Sequence, residues 1–212
     1  MQAEEFVEEK LEGPPPPRAW HVAYYHSYFD VSTATVRKRL VKAVYPFLSE
    51  DFYDGSGADL YAPLWICFTL VFLFTAGGSL AVYEESVEGI EWVENVQKVS
   101  VALLLFFGLL LGIPLLARLL LRSEDSKPSL ADLLCLYGYS LTIYLPGAII
   151  CLFPIHLGRI VVLALCGAWA SFVLFRYYLK QFAAGGAKRL VVGAAVLLGH
   201  IAIVLAGNLY FF

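Results

Sequence analysis

Charge is what this sequence has least of. Asp, Glu, Lys and Arg make up 16% of its 212 residues, against 59% hydrophobic residues and a mean hydropathy of +0.70. Soluble domains carry about 25% charged residues, so the composition argues against a water-soluble globule. Other absences narrow the field further. No CxxC spacing occurs, and Cys67, Cys135, Cys151 and Cys166 all fall in or beside apolar runs. They read as small buried hydrophobes rather than a disulfide framework. There is no Asn-x-Ser/Thr sequon. The start, Met1-Gln2-Ala3-Glu4-Glu5, is acidic and lacks a basic segment ahead of an apolar one. A cleavable signal peptide is therefore not expected, and the first internal apolar helix has to direct membrane insertion.

Enzyme signals are missing too. His21, His26, His156 and His200 show no HExxH or paired-ligand spacing, no aspartate pair lies within the apolar runs, and no glycine-rich phosphate loop occurs. No catalytic, cofactor-binding or metal-ligating residues are expected, and no nucleic-acid partner. His200 is the one ionisable group well inside an apolar run. Such groups default to a functional hypothesis such as a proton relay, but with no acidic partner in the runs, a neutral histidine hydrogen-bonding across helices fits better.

What the sequence does have is organisation. Residues 1–19 are Glu-rich and then Pro-rich (Pro14 to Pro17), the composition of a disordered tail. Residues 20–58 form an arm. It opens on Trp20, Tyr24, Tyr25, Tyr28 and Phe29, aromatics suited to the headgroup level of a bilayer. Asp30 or Ser32 can cap a short helix running to Tyr45. In that helix Val36, Leu40 and Val44 recur every four residues, while Arg37, Lys38, Arg39 and Lys42 take much of the remaining surface. Two readings are open. The four basic residues can lie on an anionic leaflet, each contributing about 1 kcal/mol, or the helix can pack against its own bundle.

Residues 59–212 carry five apolar runs: Leu60–Tyr83, then about 99–121, 130–153, 157–175 and 190–212. Each is long enough for the roughly 20 residues that span a bilayer. No Lys, Arg, Asp or Glu lies deep in any of them, consistent with a cost of about 2.5–3.5 kcal/mol for one at the bilayer centre. The fold class is therefore all-α: a polytopic membrane protein of five transmembrane helices behind an arm with a short amphipathic helix. Basic residues cluster on the arm's side: Lys10, Arg18, Arg37, Lys38, Arg39 and Lys42, then Arg118, Arg122 and Lys127, then Arg176, Lys180, Lys188 and Arg189. The other side has Lys98 and Arg159 beside Glu84, Glu85, Glu88, Glu91 and Glu94. The positive-inside rule then puts the arm in the cytosol and the C-terminus in the lumen.

The junction Asp59-Leu60-Tyr61-Ala62-Pro63 is built like a helix start. Pro63 suits a first turn, Asp59 the positive end of the helix dipole, and Tyr61 and Trp65 an interfacial anchor. The same stretch, continuing Leu64-Trp65-Ile66, resembles the Asp-Leu-Tyr-Gly-Pro-Phe-Trp-Ile signature of the Yip (Yip1-domain, YIPF) family. Gly138-Tyr139-Ser140, followed by Tyr144-Leu145-Pro146, is similar to the family's second element in the third span. Tyr24-Tyr25, Phe29-Asp30-Val31 and Thr33 resemble the arm of the branch containing the first two numbered members. Ala62 stands where the family usually has glycine, so a bend needing positive φ is not expected there. The resemblance implies a non-enzymatic membrane protein of the Golgi and early secretory pathway, or of ER or late Golgi and endosomal membranes. It further implies a role in vesicle-mediated and ER to Golgi transport, with Rab-type small GTPases and other Yip-family proteins as partners. On that basis Asp59, Leu60, Tyr61, Pro63, Trp65, Gly138, Tyr139 and Pro146 are the motif and partner-binding candidates.

Among the glycines of the spans, Gly108 and Gly112 have GxxxG spacing. Packing within the chain and association with a second membrane protein are both open for them. Pro114, Pro146 and Gly147 should kink or locally break their helices. A small transporter or channel built around Pro146, Gly147 and His200 is the alternative function.

Overall fold

A computed structural model describes residues 22–85, 92–121, 128–153, 156–181 and 187–212. The tail expected over 1–19 lies outside the described residues. The elements are α1 (Val22–Phe29), α2 (Thr33–Val44), α3 (Tyr61–Glu85), α4 (Trp92–Leu120) and α5 (Leu130–Ser140). A 3₁₀ turn (Leu141–Ile143) follows, then α6 (Tyr144–Cys151), α7 (His156–Gln181) and α8 (Ala187–Ala206), which continues as a π-helical turn (Gly207–Phe211). The described residues contain no strand. Hydrocarbon offers the backbone no hydrogen-bond partner, so an apolar chain of this kind satisfies its own amides by coiling. Five stretches are long and apolar enough to cross a membrane: Tyr61–Ser79, Val96–Leu120, Leu130–Cys151, Gly158–Tyr178 and Leu190–Phe211. They match the five expected spans to within a few residues at most ends.

Local chemistry explains the boundaries. Of the two candidate caps for α2, Ser32 does the work: its side chain accepts from the Thr35 amide at 3.2 Å. Ser129 and Asp132 form a reciprocal capping box at the start of α5. The third span is interrupted, as expected, by the 3₁₀ turn that precedes Pro146. A proline has no N–H for the preceding turn, and the tighter 3₁₀ geometry absorbs the misfit. Pro114 behaves differently, because α4 runs on from it to Leu120 without a break.

Within the bundle α3 packs against α4, α5 and α6, while α7 packs against α6 and α8, and α8 closes on α4. The core is rich in aromatic residues: Phe52, Phe74, Phe106, Tyr137, Tyr139, Tyr144 and Tyr177 are all buried. Several glycines are points of close approach; a Cβ on Gly147 would lie 2.5 Å from the Cys166 sulfur. Gly108 and Gly112 are not. A Cβ added at either meets nothing within 4 Å, and both face outward on α4. The reading that these two mediate packing within the chain is thereby corrected, because no neighbouring helix of the chain reaches them. A small pocket of about 30 Å³ lies between α4, α5, α7 and α8 and is lined mainly by apolar groups such as Ile113, Leu136, Leu174 and Val196.

The two ends of the bundle differ. At the end away from the arm, Lys98 and Arg159 are both buried. Lys98 donates to the Gly78 carbonyl at 2.8 Å, and Arg159 to the carbonyls of Cys151, at 3.1 Å, and Phe212. At the arm end, α2 is folded against α5 and the 3₁₀ turn.

Candidate functional site: the joint between arm and bundle

The sequence pattern of α2 sets which of its residues face inward. Val36, Arg39, Leu40 and Ala43 share one face at helical spacing, and Arg39 is only 2% exposed. Lys42 is 7% exposed. Of the two readings open for this helix, packing against its own bundle is the one observed, and Arg37, Lys38, Arg39 and Lys42 do not form one basic surface facing a leaflet. Arg37 and Lys38 remain exposed, but Arg39 and Lys42 point into the protein.

An unpaired buried guanidinium is costly, so its partners define the site. Arg39 Nη1 donates to Asp59 Oδ2 in a buried ion pair. Arg39 Nη2 donates to the Gly57 carbonyl at 2.6 Å and to Ser56 Oγ at 2.9 Å. The loop that supplies these acceptors is set by a tight turn. Asp54 and Gly55 both have positive φ (50° and 72°), and the Ser56 amide closes on the Tyr53 carbonyl at 2.9 Å. Two successive positive φ values suit an Asp-Gly pair. Lys42 is held by the same loop: its amine donates to the Asp51 carbonyl at 2.6 Å and pairs with the Asp54 carboxylate at 2.6 Å.

Asp59 is the hub. Its Oδ1 accepts from the Ala62 amide at 3.3 Å, which is the helix-start role read from the sequence. Its Oδ2 accepts from Arg39 and, at 3.1 Å, from the Tyr139 hydroxyl on α5. Cys135 lies one turn before Tyr139 on the same helix, its sulfur 3.9 Å from both Asp59 Oδ2 and Arg39 Nη1. Gly138 lets α5 come this close. A Cβ there would lie 2.9 Å from Pro63 Cα, nearer than real Cβ contacts come. The two signature stretches, around Asp59 and around Gly138, are thus two halves of one joint. Ala62 is buried inside α3 with ordinary helical backbone, so the site uses no bend there. Tyr53 completes the joint. Its hydroxyl donates to the Asp132 carbonyl at 2.6 Å, and its ring lies 5.4 Å from the Arg39 guanidinium. Burial, then the nearby Cys135 and Asp132, hold the Tyr53 phenol well above its ordinary pKa.

Of the eight motif candidates, Asp59, Pro63, Gly138 and Tyr139 converge. Leu60 stands beside them, its amide bonded to the Tyr28 carbonyl at 2.9 Å. Tyr61 and Trp65 face outward from α3 with their rings 6.3 Å apart, and Pro146 sits exposed beyond the 3₁₀ turn. Because Asp59 and Tyr139 are enclosed, no partner reaches them while α2 is seated. Sequence reasoning named Arg39 as a membrane-surface residue and missed its inward role, for which its place on the face of Val36 and Ala43 was the available signal; Tyr53 it did not single out. His200 is separate from this joint. Its ring stacks with those of Tyr137 and Tyr144, and its Nδ1 lies 3.3 Å from the Tyr144 hydroxyl, the cross-helix bond expected.

The chain is similar in sequence to known proteins over most of its length. The family model described as Yip1 domain matches residues 49–206, which takes in both halves of the joint except α2. Protein YIPF1 homolog of Dictyostelium discoideum is 29% identical over 196 residues, 91% of this chain and 56% of the relative. Protein YIP5 of Saccharomyces cerevisiae is 28% identical over 145 residues, 61% of this chain and 46% of the relative. The chain spans about half the length of the curated relatives it matches. No solved structure matches it. With five membrane-spanning helices, the signature joint and a family match over most of its length, the chain belongs to the Yip1-domain family of membrane proteins.

Proposed function

We propose that this protein acts in vesicle-mediated transport between ER and Golgi, as a non-enzymatic membrane protein of the Golgi or of neighbouring ER, late Golgi or endosomal membranes. Its arm side faces the cytosol and receives a Rab-type small GTPase, and its bundle pairs with other Yip-family proteins. Membership of the Yip1-domain family is the observation that carries this reading.

Three structural facts support its parts. Arg37 and Lys38 are exposed on the arm side, whereas the far-side cations Lys98 and Arg159 are turned inward onto carbonyls. Charge exposed to the surroundings therefore favours a cytosolic arm. Gly108 and Gly112 lie open on the outward face of α4, where small residues permit a second helix to approach. Gly147 and His200, on which a transporter reading would rest, are taken up by contacts with Cys166 and Tyr144.

The test is co-purification from solubilised membranes. Rab GTPases and Yip-family proteins should be recovered with the full chain. The GTPases should be lost on deleting 20–47, and strongly reduced by Arg37→Glu with Lys38→Glu, which leaves the Asp59 joint untouched. Equal GTPase recovery from all three chains would remove the arm from the reading, and absence of any GTPase from the full chain would remove the GTPase.

A further inference from the structure

The outward stripe of α2 changes character along its length. At helical spacing it runs Ala34, Arg37, Lys38, Val41 and Tyr45, basic in its first half and apolar in its second. The apolar part continues into the turn after the helix, where Tyr45, Phe47 and Leu48 are 62%, 65% and 68% exposed. A helix lying flat on a membrane is amphipathic around its axis. One that changes polarity along its axis is suited to passing from water into hydrocarbon.

Contacts with α7 give the depth of the far end. The Val44 carbonyl accepts from Trp169 Nε1 at 3.2 Å, and the Phe47 ring lies 5.6 Å from that of Phe172. Trp169 and Phe172 precede Tyr178, the arm-side end of that span, by nine and six residues. At 1.5 Å per residue these two contacts lie roughly 9–14 Å inside the span, while Arg176 and Tyr177, which reach back to the same tip, start within about 3 Å of its end. The third span agrees, because α2 also packs against the 3₁₀ turn at Leu141–Ile143, in the middle of Leu130–Cys151.

The backbone at the tip is treated as hydrocarbon requires. Irregular backbone at membrane depth survives only where protein satisfies its polar groups. Besides the bond from Trp169 to Val44, the Pro46 carbonyl accepts from Arg176 Nε at 2.9 Å and from the Tyr177 hydroxyl at 3.3 Å. Pro46 itself has no N–H to satisfy. Lys42, on the descending helix, sends its amine to the returning loop at Asp51 and Asp54.

We propose that α2 and the turn after it form a re-entrant hairpin, with Val41, Tyr45, Phe47 and Leu48 seated against the acyl chains of the arm-side leaflet. The lipid-facing surface is continuous with that of α7, where Phe172 is exposed beside Phe47. The Arg39–Asp59 pair stands at the mouth of the hairpin and joins its two limbs. The arm thereby belongs to the membrane domain and displaces lipid in one leaflet only. This holds whichever partner the exposed Arg37 and Lys38 receive.

The experiment uses the full chain in phospholipid vesicles with two readouts. Leu48→Cys and Lys38→Cys are treated with a membrane-impermeant maleimide, the four native cysteines being buried. Separately, a photoreactive benzoylphenylalanine replaces Phe47 or Arg37 in vesicles containing radiolabelled phosphatidylcholine. The hairpin predicts that Lys38→Cys reacts at least tenfold faster than Leu48→Cys until detergent is added, and that lipid is captured at position 47 several-fold more than at position 37. Equal maleimide rates in intact vesicles would overturn the insertion. Protection of position 48 without lipid capture at 47 would overturn the lipid as occupant, because a protein surface would then be covering the tip.

Discussion

Two of the polar centres buried among the described residues are built on opposite principles. At the arm side, Arg39 and Asp59 are a full charge pair, and Asp59 is further hydrogen-bonded by Tyr139 and the Ala62 amide. Deeper in the bundle, His200 meets Tyr144 by one hydrogen bond, while its Nε2 and the Tyr137 hydroxyl have no hydrogen-bond partner. The first centre brings together three stretches distant in sequence, α2, the start of α3 and α5, and each contributes a group the others need. The second is held mainly by ring stacking. Each centre leaves a buried nitrogen without a partner, Arg39 Nε in the first and His200 Nε2 in the second, so the difference lies in the ion pair: removing one charge strands the other, whereas the neutral centre has no such counter-charge to lose.

The largest effect should follow from breaking the charge pair on one side only. Asp59→Ala leaves Arg39 enclosed without its carboxylate and should cost about 3–5 kcal/mol. Unfolding of the detergent-solubilised protein should show this, together with faster proteolysis of the 46–57 loop. Adding Arg39→Met to an Asp59→Leu chain should restore most of that stability, since a buried pair replaced by apolar groups of similar size is often neutral. A double variant no more stable than Asp59→Ala would mean that the pair is not what makes the joint tight. Next in size is Gly138→Leu, which pushes α5 away from Pro63 and should cost about 1–3 kcal/mol by overpacking. Gly138→Ala should lie between it and the native chain in the same unfolding measurement.

How much of this was legible in the sequence differs between the bundle and the joint. The five spans could be read because hydropathy over about 20 residues is a local signal. The helix-start role of Asp59 was legible for the same reason. That Asp59 and Tyr139 touch was not, since 80 positions separate them and nothing local encodes which helices become neighbours. The basic run Arg37 to Lys42 misled in a different way. Counted as composition it suggests a surface, but by helical angle Arg39 belongs with Val36 and Ala43. Gly108 and Gly112 carried the familiar spacing and yet face away from the chain's own helices, whereas Gly138, without that spacing, makes a close approach.

The inner centre should be the more forgiving of the two. His200→Phe keeps a ring between its neighbours but strands the Tyr144 hydroxyl, for a loss of about 1 kcal/mol. Combining it with Tyr144→Phe removes the stranded group and should recover part of that loss. If His200→Phe proved as damaging as Asp59→Ala in the same assay, the contrast between charged and neutral centres would fail.

The smallest effect is expected at the edge of the joint, and pH isolates it. The Tyr53 hydroxyl donates to the Asp132 carbonyl, so Tyr53→Phe should cost about 1 kcal/mol at neutral pH. Burial, then Cys135 and Asp132, raise the folded-state pKa of this phenol. A raised pKa means that the folded chain holds the proton more tightly than the unfolded chain does. The contribution of Tyr53 is therefore complete below the unfolded tyrosine value of about 10 and declines as pH rises through that value towards the folded one. Measured as a difference from Tyr53→Phe, which cancels the other tyrosines, the native chain should lead at pH 8 and lose that lead by pH 11. A gap that stays constant across this range would mean that the folded chain holds the phenol proton no more tightly than the unfolded chain does, and that the enclosure of Tyr53 beside Asp132 does not act on its ionisation.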